Sequence, residues 1–127
     1  VEAFDHRKAL KKLEKNTIVI CAGGTGNPFV TTDSTASLRA AMLDMHLILK
    51  ATQVEGIYDK DPKKYPDARR FDTVTFQEAL NRKLGVMDQA AFLQCQAQNI
   101  PIRVFDSSKP LALREALLGK PVGTLCQ

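Results

Sequence analysis

The sequence lacks the patterns that would place the protein in a membrane or mark it for export. No apolar run approaches the roughly 20 residues that a transmembrane helix needs, and the first residues show no signal-peptide pattern. Internal repeats and low-complexity tracts are also missing. With 44% hydrophobic and 25% charged residues over 127 positions, the composition is that of one soluble globular domain. We expect no contact with a membrane.

Cysteine and histidine are scarce. The three cysteines, Cys21, Cys95 and Cys126, are odd in number and widely spaced, and they form no CxxC pair. Neither His6 nor His46 lies at zinc-ligand spacing from a cysteine. We therefore expect buried, reduced thiols, a cytoplasmic location and no structural metal.

Aromatic residues make up only 6% of the chain, and the net charge of +4 is only mildly basic. The basic residues near the amino terminus surround Ala9, Leu10 and Leu13 at helical spacing, which is typical of a solvated helix face. Lys63-Lys64 and Arg69-Arg70 flank a loop and could attract a polyphosphate. The interleaving of aromatic and basic residues that marks single-strand binders is missing. We expect no nucleic-acid partner.

Two common catalytic patterns are also absent. The sequence has no Walker A motif, GxxxxGK[ST], and no evident Ser-His-Asp or Cys-His arrangement. Covalent catalysis is therefore not indicated. If the chain belongs to a kinase, its cationic groups must lie outside the glycine-rich segment described next.

That glycine-rich segment is the most informative feature that the sequence does contain. An apolar run over residues 17–22 leads directly into GGTGNPFVTTDS over residues 23–34. Three glycines in four positions allow a tight turn and close approach to a ligand. Exposed N–H groups and threonine hydroxyls can seat a phosphate, and Asn27-Pro28 holds the loop out of helical geometry. An ordinary turn is the alternative, but the density of hydroxyl and amide groups favours a ligand loop.

Helical and strand signals alternate along the chain. Helices are predicted over residues 5–15, 33–44, 75–83, 87–98 and 110–118, and strands over residues 17–22, 46–51, 101–105 and 123–126. Continuous apolar strands separated by helices predict an α/β protein with three αβα layers and a mainly parallel sheet.

A second long segment, residues 52–71, follows the predicted strand at 46–51. Plain connections are mostly about 4–6 residues long, and ligands in open α/β sheets bind beyond the carboxyl ends of strands. Tyr58 could stack on a base, Thr52 could bind a base edge or a phosphate, and Asp61 could hold a ribose hydroxyl or hydrated Mg²⁺. Each residue alone is explained as well by a turn or by packing. Together, at the same sheet edge as the glycine-rich segment, they favour a site.

Two acidic residues stand where helices are predicted to begin. Asp33, followed by Ser34 and an apolar run, is expected to be a helix N-cap. Asp88 opens another predicted helix and could equally be a cap. As the cap that follows a phosphate loop, Asp33 would also lie close to the ligand.

The ordered series of motifs strongly resembles the carboxyl-terminal half of bacterial-type UMP kinases (uridylate kinases), in the amino acid kinase superfamily. GGTGNPFVTTDS and LKATQVEGIYDKDPKKYPDA carry most of the likeness, which continues through residues 84–88, 101–105, 109–110 and 123–125. The resemblance covers essentially the whole chain and implies an amino acid kinase-like fold. We interpret residues 1–127 as the carboxyl-terminal nucleotide-binding part of that domain, without its amino-terminal half. A start at Val1 inside a helical pattern agrees with a fragment.

This resemblance implies transfer of the γ-phosphoryl group of ATP to UMP with Mg²⁺, giving UDP and ADP in pyrimidine nucleotide biosynthesis. It also implies a cytoplasmic homohexamer with GTP and UTP as effectors. The family's amino-terminal half carries the lysine and glycine-rich loop that hold the ATP phosphates, so we expect the isolated chain to be nearly inactive. Two alternatives are another amino acid kinase, which the GTGNPF loop disfavours, and a non-catalytic nucleotide-binding or assembly module.

The resemblance also assigns residues. The segment that wraps UMP matches Thr25, Gly26, Asn27, Pro28, Phe29, Val30, Thr31 and Thr32, with Thr25 and Asn27 nearest the phosphate. The ATP-contacting positions match Thr52, Tyr58 and Asp61. Asp33 and Asp88 match acidic residues that line the active site, where we expect a supporting catalytic role. No residue is assigned to a metal.

The sequence departs from the family pattern at two places. Asp44-Met45-His46 stands where a Gly-Ala-Asp turn is usual. Because that position often needs a positive φ, the loss of glycine is expected to cost some stability. Asp106-Ser107-Ser108 stands where Asn-Met-Asn is common, a change that we expect to be tolerated. Without the amino-terminal half, one edge of the sheet is expected to be unpaired.

Overall fold

The structure is a computed structural model that describes residues 2–127. Within these residues, five helices and four strands follow one another along the chain. They are α1 (His6–Leu13), α2 (Thr32–Met42), β1 (Ile48–Thr52), β2 (Thr73–Val74), α3 (Phe76–Asn81), α4 (Gln89–Ala97), β3 (Ile102–Asp106), α5 (Ala112–Leu117) and β4 (Thr124–Cys126). No helix within this part of the chain combines the length and apolar character needed to cross a bilayer.

The four strands form one mixed sheet in the order β1-β3-β4-β2. β1 pairs with β3 in parallel, β2 pairs with β4 in parallel, and β3 pairs with β4 antiparallel. Two of the three pairings are therefore parallel, as the prediction of a mainly parallel sheet requires. Neither the two-residue strand β2 nor the antiparallel step was predicted.

The central strand β3 supplies the core of both faces, because successive side chains point to opposite sides of a strand. Ile102 and Val104 lie on one face in a large cluster with side chains from α2, α3 and α4. Phe105 lies on the other face and packs against Ala112 and Ala116 of α5. Helices thus cover both faces of the sheet, and the predicted three-layer αβα class is confirmed.

The strand predicted over residues 17–22 is wrong. In the structure this segment is irregular, and the side chains of Ile18 and Ile20 are each 88% exposed. An apolar run becomes a buried strand only when a neighbouring strand pairs with it, and none of the described strands does so.

The same segment corrects the prediction for one of the three thiols. Cys21 is exposed, whereas Cys95 and Cys126 are buried, and all three are free. Burial raises the pKa of Cys95 to about 11 and that of Cys126 to about 12. Because the thiolate is the reactive form, the two buried thiols are inert groups of the core.

The described helices all end in the same way. A residue in the left-handed conformation follows each helix, and the next residue donates its N–H to a carbonyl five positions earlier, which is the Schellman arrangement. The left-handed residues are Asn16, Asp44, Lys83, Asn99 and Gly119. The expectation that position 44 needs a positive φ is confirmed, since Asp44 has a φ of 54°.

Replacing Asp44 by glycine is expected to raise the free energy of unfolding by about 0.5–1 kcal/mol. The left-handed conformation costs an ordinary residue roughly 1–2 kcal/mol, and the larger entropy of glycine in the unfolded chain cancels part of the gain. Urea unfolding measures the difference. Asp44→Ala is the control and should be less stable than the unmodified chain, because alanine tolerates this conformation less well than aspartate. Equal midpoints for both variants would contradict the explanation.

Candidate active site

The glycine-rich segment forms an open loop before α2. Gly23, Gly24 and Gly26 have φ values of 84°, 67° and 78°, which side chains other than glycine rarely adopt. The hydroxyl of Thr25 accepts a hydrogen bond from the N–H of Asn27 at 3.2 Å. Most of residues 23–32 are exposed. We call residues 25–32 the acceptor loop.

The acceptor loop leads directly into α2, and the cap of this helix differs from the prediction. The helix begins at Thr32, and the hydroxyl of Thr31 accepts the N–H of Ser34 at 3.1 Å. Thr31 is therefore the N-cap, and Asp33 is the second residue of the helix. The prediction of Asp33 as the cap is wrong because a threonine two positions earlier already fills that role, which leaves the Asp33 carboxylate free for other contacts.

Asp88 does cap its helix, as predicted, and it also reaches α2. Its carboxylate accepts the N–H of Ala91 at 3.0 Å at the start of α4. The same carboxylate accepts hydrogen bonds from the hydroxyl of Thr31 and from that of Ser34, the latter at 3.3 Å. One carboxylate thus joins the amino-terminal ends of two helices.

These contacts set the charge of Asp88. Partial burial acts to raise its pKa, but the hydrogen bonds from Thr31, Ala91 and Ser34 outweigh burial and lower the pKa from its ordinary value. The carboxylate is therefore charged at neutral pH. A group with a lowered pKa is a poor general base, so Asp88 is suited to holding structure and not to taking a proton.

Asp33 is held by a lysine that the sequence analysis missed. The Nζ atom of Lys50, in β1, lies 2.6 Å from Oδ2 of Asp33 and 2.8 Å from the carbonyl oxygen of Val86. The Asp33 carboxylate also accepts the N–H of Asp88 at 3.4 Å. A charged residue inside the otherwise apolar run LILKA was the available signal.

On the other side of this group, a cavity of about 310 Å³ opens between the long segment at 52–72 and the end of α3. Tyr58 and Asp61 both line it, so the structure brings together two of the three residues predicted to contact ATP. We call this space the donor cavity. Tyr58 is half-buried, and its backbone forms a single antiparallel β-bridge with that of Arg70.

The third predicted residue, Thr52, does not line the donor cavity. Its hydroxyl accepts the N–H of Val54 at 3.1 Å and lies 2.8 Å from the Val54 carbonyl oxygen. The side chain therefore forms a local turn at the end of β1. Asp61 also makes a turn contact, since its carboxylate accepts the N–H of Lys63 at 2.9 Å.

Two cations on the opposite wall of the donor cavity were not predicted. Arg82 and Lys83 follow α3 and line this wall beside Leu84 and Gly85. The guanidinium of Arg82 lies 4.8 Å from the centre of the Phe71 ring and 3.0 Å from Glu78. The sequence offers no direct signal, because basic residues at the end of a helix are common.

A second cavity, of about 660 Å³, lies between α1, the irregular segment at 17–24 and Arg39 of α2. Thr25 and Gly26 of the acceptor loop form part of its wall. The acceptor loop and the donor cavity are thus separate, and the group formed by Asp33, Lys50 and Asp88 connects them. Among the described residues, no group of three or more His, Cys, Asp or Glu could hold a metal ion.

Residues 1–106 match the sequence pattern of the amino acid kinase family. The chain belongs to the amino acid kinase family. It is similar to the uridylate kinase of Francisella tularensis subsp. holarctica, with 56% identity over 114 residues, 90% of this chain and 46% of that protein. This member of the amino acid kinase family therefore spans about half the length of the curated relatives that it matches.

Solved structures show the same relationship for the fold. The UMP kinase of Bacillus anthracis matches 99% of this chain and 52% of its own chain, with a TM-score of 0.95 and 36% identity. The UMP kinase of Ureaplasma parvum matches 100% of this chain and 55% of its own, with a TM-score of 0.93 and 38% identity. The predicted amino acid kinase-like fold is confirmed.

Proposed function

We propose that this chain is the carboxyl-terminal, nucleotide-binding part of a UMP kinase, which transfers the γ-phosphoryl group of ATP to UMP and gives UDP and ADP. The observation that carries the proposal is the 56% identity with the Francisella uridylate kinase. The acceptor loop and the donor cavity, with charged groups between them, are what a transfer between two nucleotides needs. Such a kinase serves pyrimidine nucleotide synthesis.

The acceptor loop is suited to the phosphate of UMP. Residues 25–32 expose their backbone next to the amino-terminal end of α2, an eleven-residue helix. Free N–H groups and the helix dipole favour an anion at this end. Thr25 and Asn27 are the side chains that we assign to the phosphate, and the other acceptor-loop residues wrap the nucleotide.

The donor cavity is suited to ATP. The Tyr58 ring offers a stacking surface for a base, and the Asp61 carboxylate offers an acceptor for a ribose hydroxyl. Arg82 and Lys83 add positive charge on the opposite wall, which suits a polyphosphate. Thr52 acts at this site only indirectly in our proposal, by shaping the turn that begins the segment.

Phosphoryl transfer requires positioning and charge stabilisation more than covalent chemistry. Asp33 and Asp88 have a supporting role in the proposal, because they hold the starts of α2 and α4 together. Mg²⁺ in kinases is held by one or two carboxylates plus substrate phosphates. Asp61, which lines the donor cavity, is the carboxylate that we propose to contact a hydrated Mg²⁺ carried by ATP, which would neutralise phosphate charge there.

The properties of the whole enzyme extend the proposal. By family likeness we propose a cytoplasmic homohexamer with GTP and UTP as effectors. The second candidate is a non-catalytic nucleotide-binding or assembly module, and the coverage of only 46% of the Francisella protein favours it for the isolated chain.

Titration of UMP into the chain by calorimetry tests the acceptor loop. Thr25→Ala and Asn27→Ala are each expected to weaken binding by about 10- to 100-fold, since a hydrogen bond to a charged group contributes roughly 1.5–3 kcal/mol. Thr73→Ala changes an exposed threonine in β2 and should leave affinity unchanged. Equal affinity in all four proteins would contradict the assignment of the loop.

Activity is tested in a chimera in which this chain replaces the matching part of the Francisella uridylate kinase. We expect formation of UDP from UMP and ATP. A folded chimera that binds both nucleotides without forming UDP would contradict the kinase proposal and favour the binding module.

A further inference from the structure

We propose that Lys50 is a positioning residue that fixes the acceptor loop relative to the donor cavity, acting through Asp33 and the Val86 carbonyl. The inference rests on the proposed function, because it concerns the alignment of the two nucleotides. Lys50 touches neither nucleotide in this proposal.

The place of Lys50 in the sheet is the first argument. Lys50 is paired with Val104 in β3, and two positions earlier Ile48 is paired with Ile102. Ile48, Ile102 and Val104 all belong to the large apolar cluster. A lysine on this strand face is costly to desolvate unless it is paired, and its side chain is only 24% exposed. The site therefore contains a cation held by specific partners.

The two partners of Lys50 belong to different sides of the site. Asp33 lies immediately after the acceptor loop, in the first turn of α2. Val86 lies immediately after Leu84 and Gly85, which line the donor cavity. An ammonium group donates up to three hydrogen bonds, and two of them here have lengths of 2.6 Å and 2.8 Å. The lysine thus sets the distance between the two sides.

The charges give a second, independent argument. Asp33 and Asp88 are neighbours, since the Asp88 N–H lies 3.4 Å from the Asp33 carboxylate. Two carboxylates would repel the phosphates of both nucleotides. The Lys50 ammonium at 2.6 Å neutralises Asp33, which allows anions to approach the start of α2. Loss of the lysine would both free Asp33 to move and leave its charge uncompensated.

The test uses the active chimera with Lys50→Met, Lys50→Arg, Asp33→Asn and the double variant. Lys50→Met should lower kcat about 100-fold, the effect of misplacing reacting groups by roughly 1 Å, and should raise the KM for UMP, because the uncompensated Asp33 charge repels its phosphate. Lys50→Arg should restore part of kcat. In the Asp33→Asn background the lysine substitution should have little further effect, because residues that act as a unit are not additive.

Lys120→Met is the matched control, since Lys120 pairs with Glu115 at 3.1 Å on the surface and lines neither cavity. A kcat for Lys50→Met equal to that of the control would overturn the proposal, and so would equal losses with and without Asp33. If Lys50→Met fails to fold, the double variant decides, because it removes both charges. A kcat for the double variant well below that of Asp33→Asn would then overturn the proposal.

A second measurement separates this inference from the kinase proposal. NMR spectra of the backbone amides of the 127-residue chain measure the connection. In Lys50→Met the chemical shifts should change at both residues 31–34 and residues 84–88, and in Lys120→Met at neither segment. If the chimera forms no UDP, the kinase proposal fails, and these spectra still decide whether Lys50 connects the two segments. Changes confined to one segment would overturn the connection.

Discussion

Gly123→Ala is expected to lower the free energy of unfolding by about 4 kcal/mol, the sum of a strained backbone and an overpacked core. Gly123 has a φ of 70°, and a Cβ atom there would overlap the carbonyl oxygen of Val104. It would also lie 2.9 Å from the Phe105 Cβ atom. Because the obstacle is the backbone of β3, no side-chain rotation relieves the overlap.

The chain supplies a matched control for this prediction. Gly119 has a φ of 74°, and nothing lies within 4 Å of a Cβ added to it. Gly119→Ala therefore introduces the same backbone strain without the overlap, and we expect a loss of about 1–2 kcal/mol. Urea unfolding of both variants measures the difference. Equal losses would show that β3 and β4 can separate at no cost, contrary to the argument.

Thr124→Val is expected to cost about 3 kcal/mol of stability, because it leaves one buried and one partly buried backbone group without partners, at roughly 1–3 kcal/mol each. Thr124 is fully buried in β4. Its hydroxyl accepts the Ile57 N–H at 2.9 Å and donates to the Phe71 carbonyl oxygen. Ile57 lies near the start and Phe71 near the end of the segment at 52–72, which forms one wall of the donor cavity.

The functional result of Thr124→Val should be weaker ATP binding with unchanged UMP binding. Calorimetry with each nucleotide measures the two affinities. Hydrogen exchange at the Ile57 amide directly reports the loss of its hydrogen bond to Thr124. Thr124→Ser keeps the hydroxyl and should keep both the ATP affinity and the protection of Ile57. Protection of Ile57 that survives in Thr124→Val would contradict the role assigned to the hydroxyl.

The elements that the sequence predicted correctly depend on local signals. The helix at 75–83 and the cap at Asp88 are set by periodicity and by side chains a few residues apart. The strand at 17–22 failed because an apolar run specifies burial but not a partner, and none of the described strands pairs with it. The two-residue strand β2 is too short to leave any periodic pattern.

In the site, too, the features set by local sequence were predictable, and those set by distant contacts were not. Gly23, Gly24 and Gly26 were evident as a loop signal, and their positive φ values confirm that the turn requires glycine. Lys50 was not evident, since its partners Asp33 and Val86 lie 17 and 36 positions away along the chain. The choice of Thr31 over Asp33 as the cap is also a structural matter, because both residue types cap helices well. The assigned contacts of Thr25 and Asn27 with UMP stay predictions.

The hydroxyl of Thr124 also affects the order in which parts of the chain can fold during synthesis. A ribosome makes residues 52–72 well before Thr124, so this segment at first carries an Ile57 N–H and a Phe71 carbonyl whose buried partner does not yet exist. Until β4 emerges from the exit tunnel, these two groups must remain hydrated, and residues 52–72 are not yet held in their final position. The wall of the cavity that we propose for ATP is thus completed only after β4 is made, whereas α2 and the acceptor loop precede both in the chain.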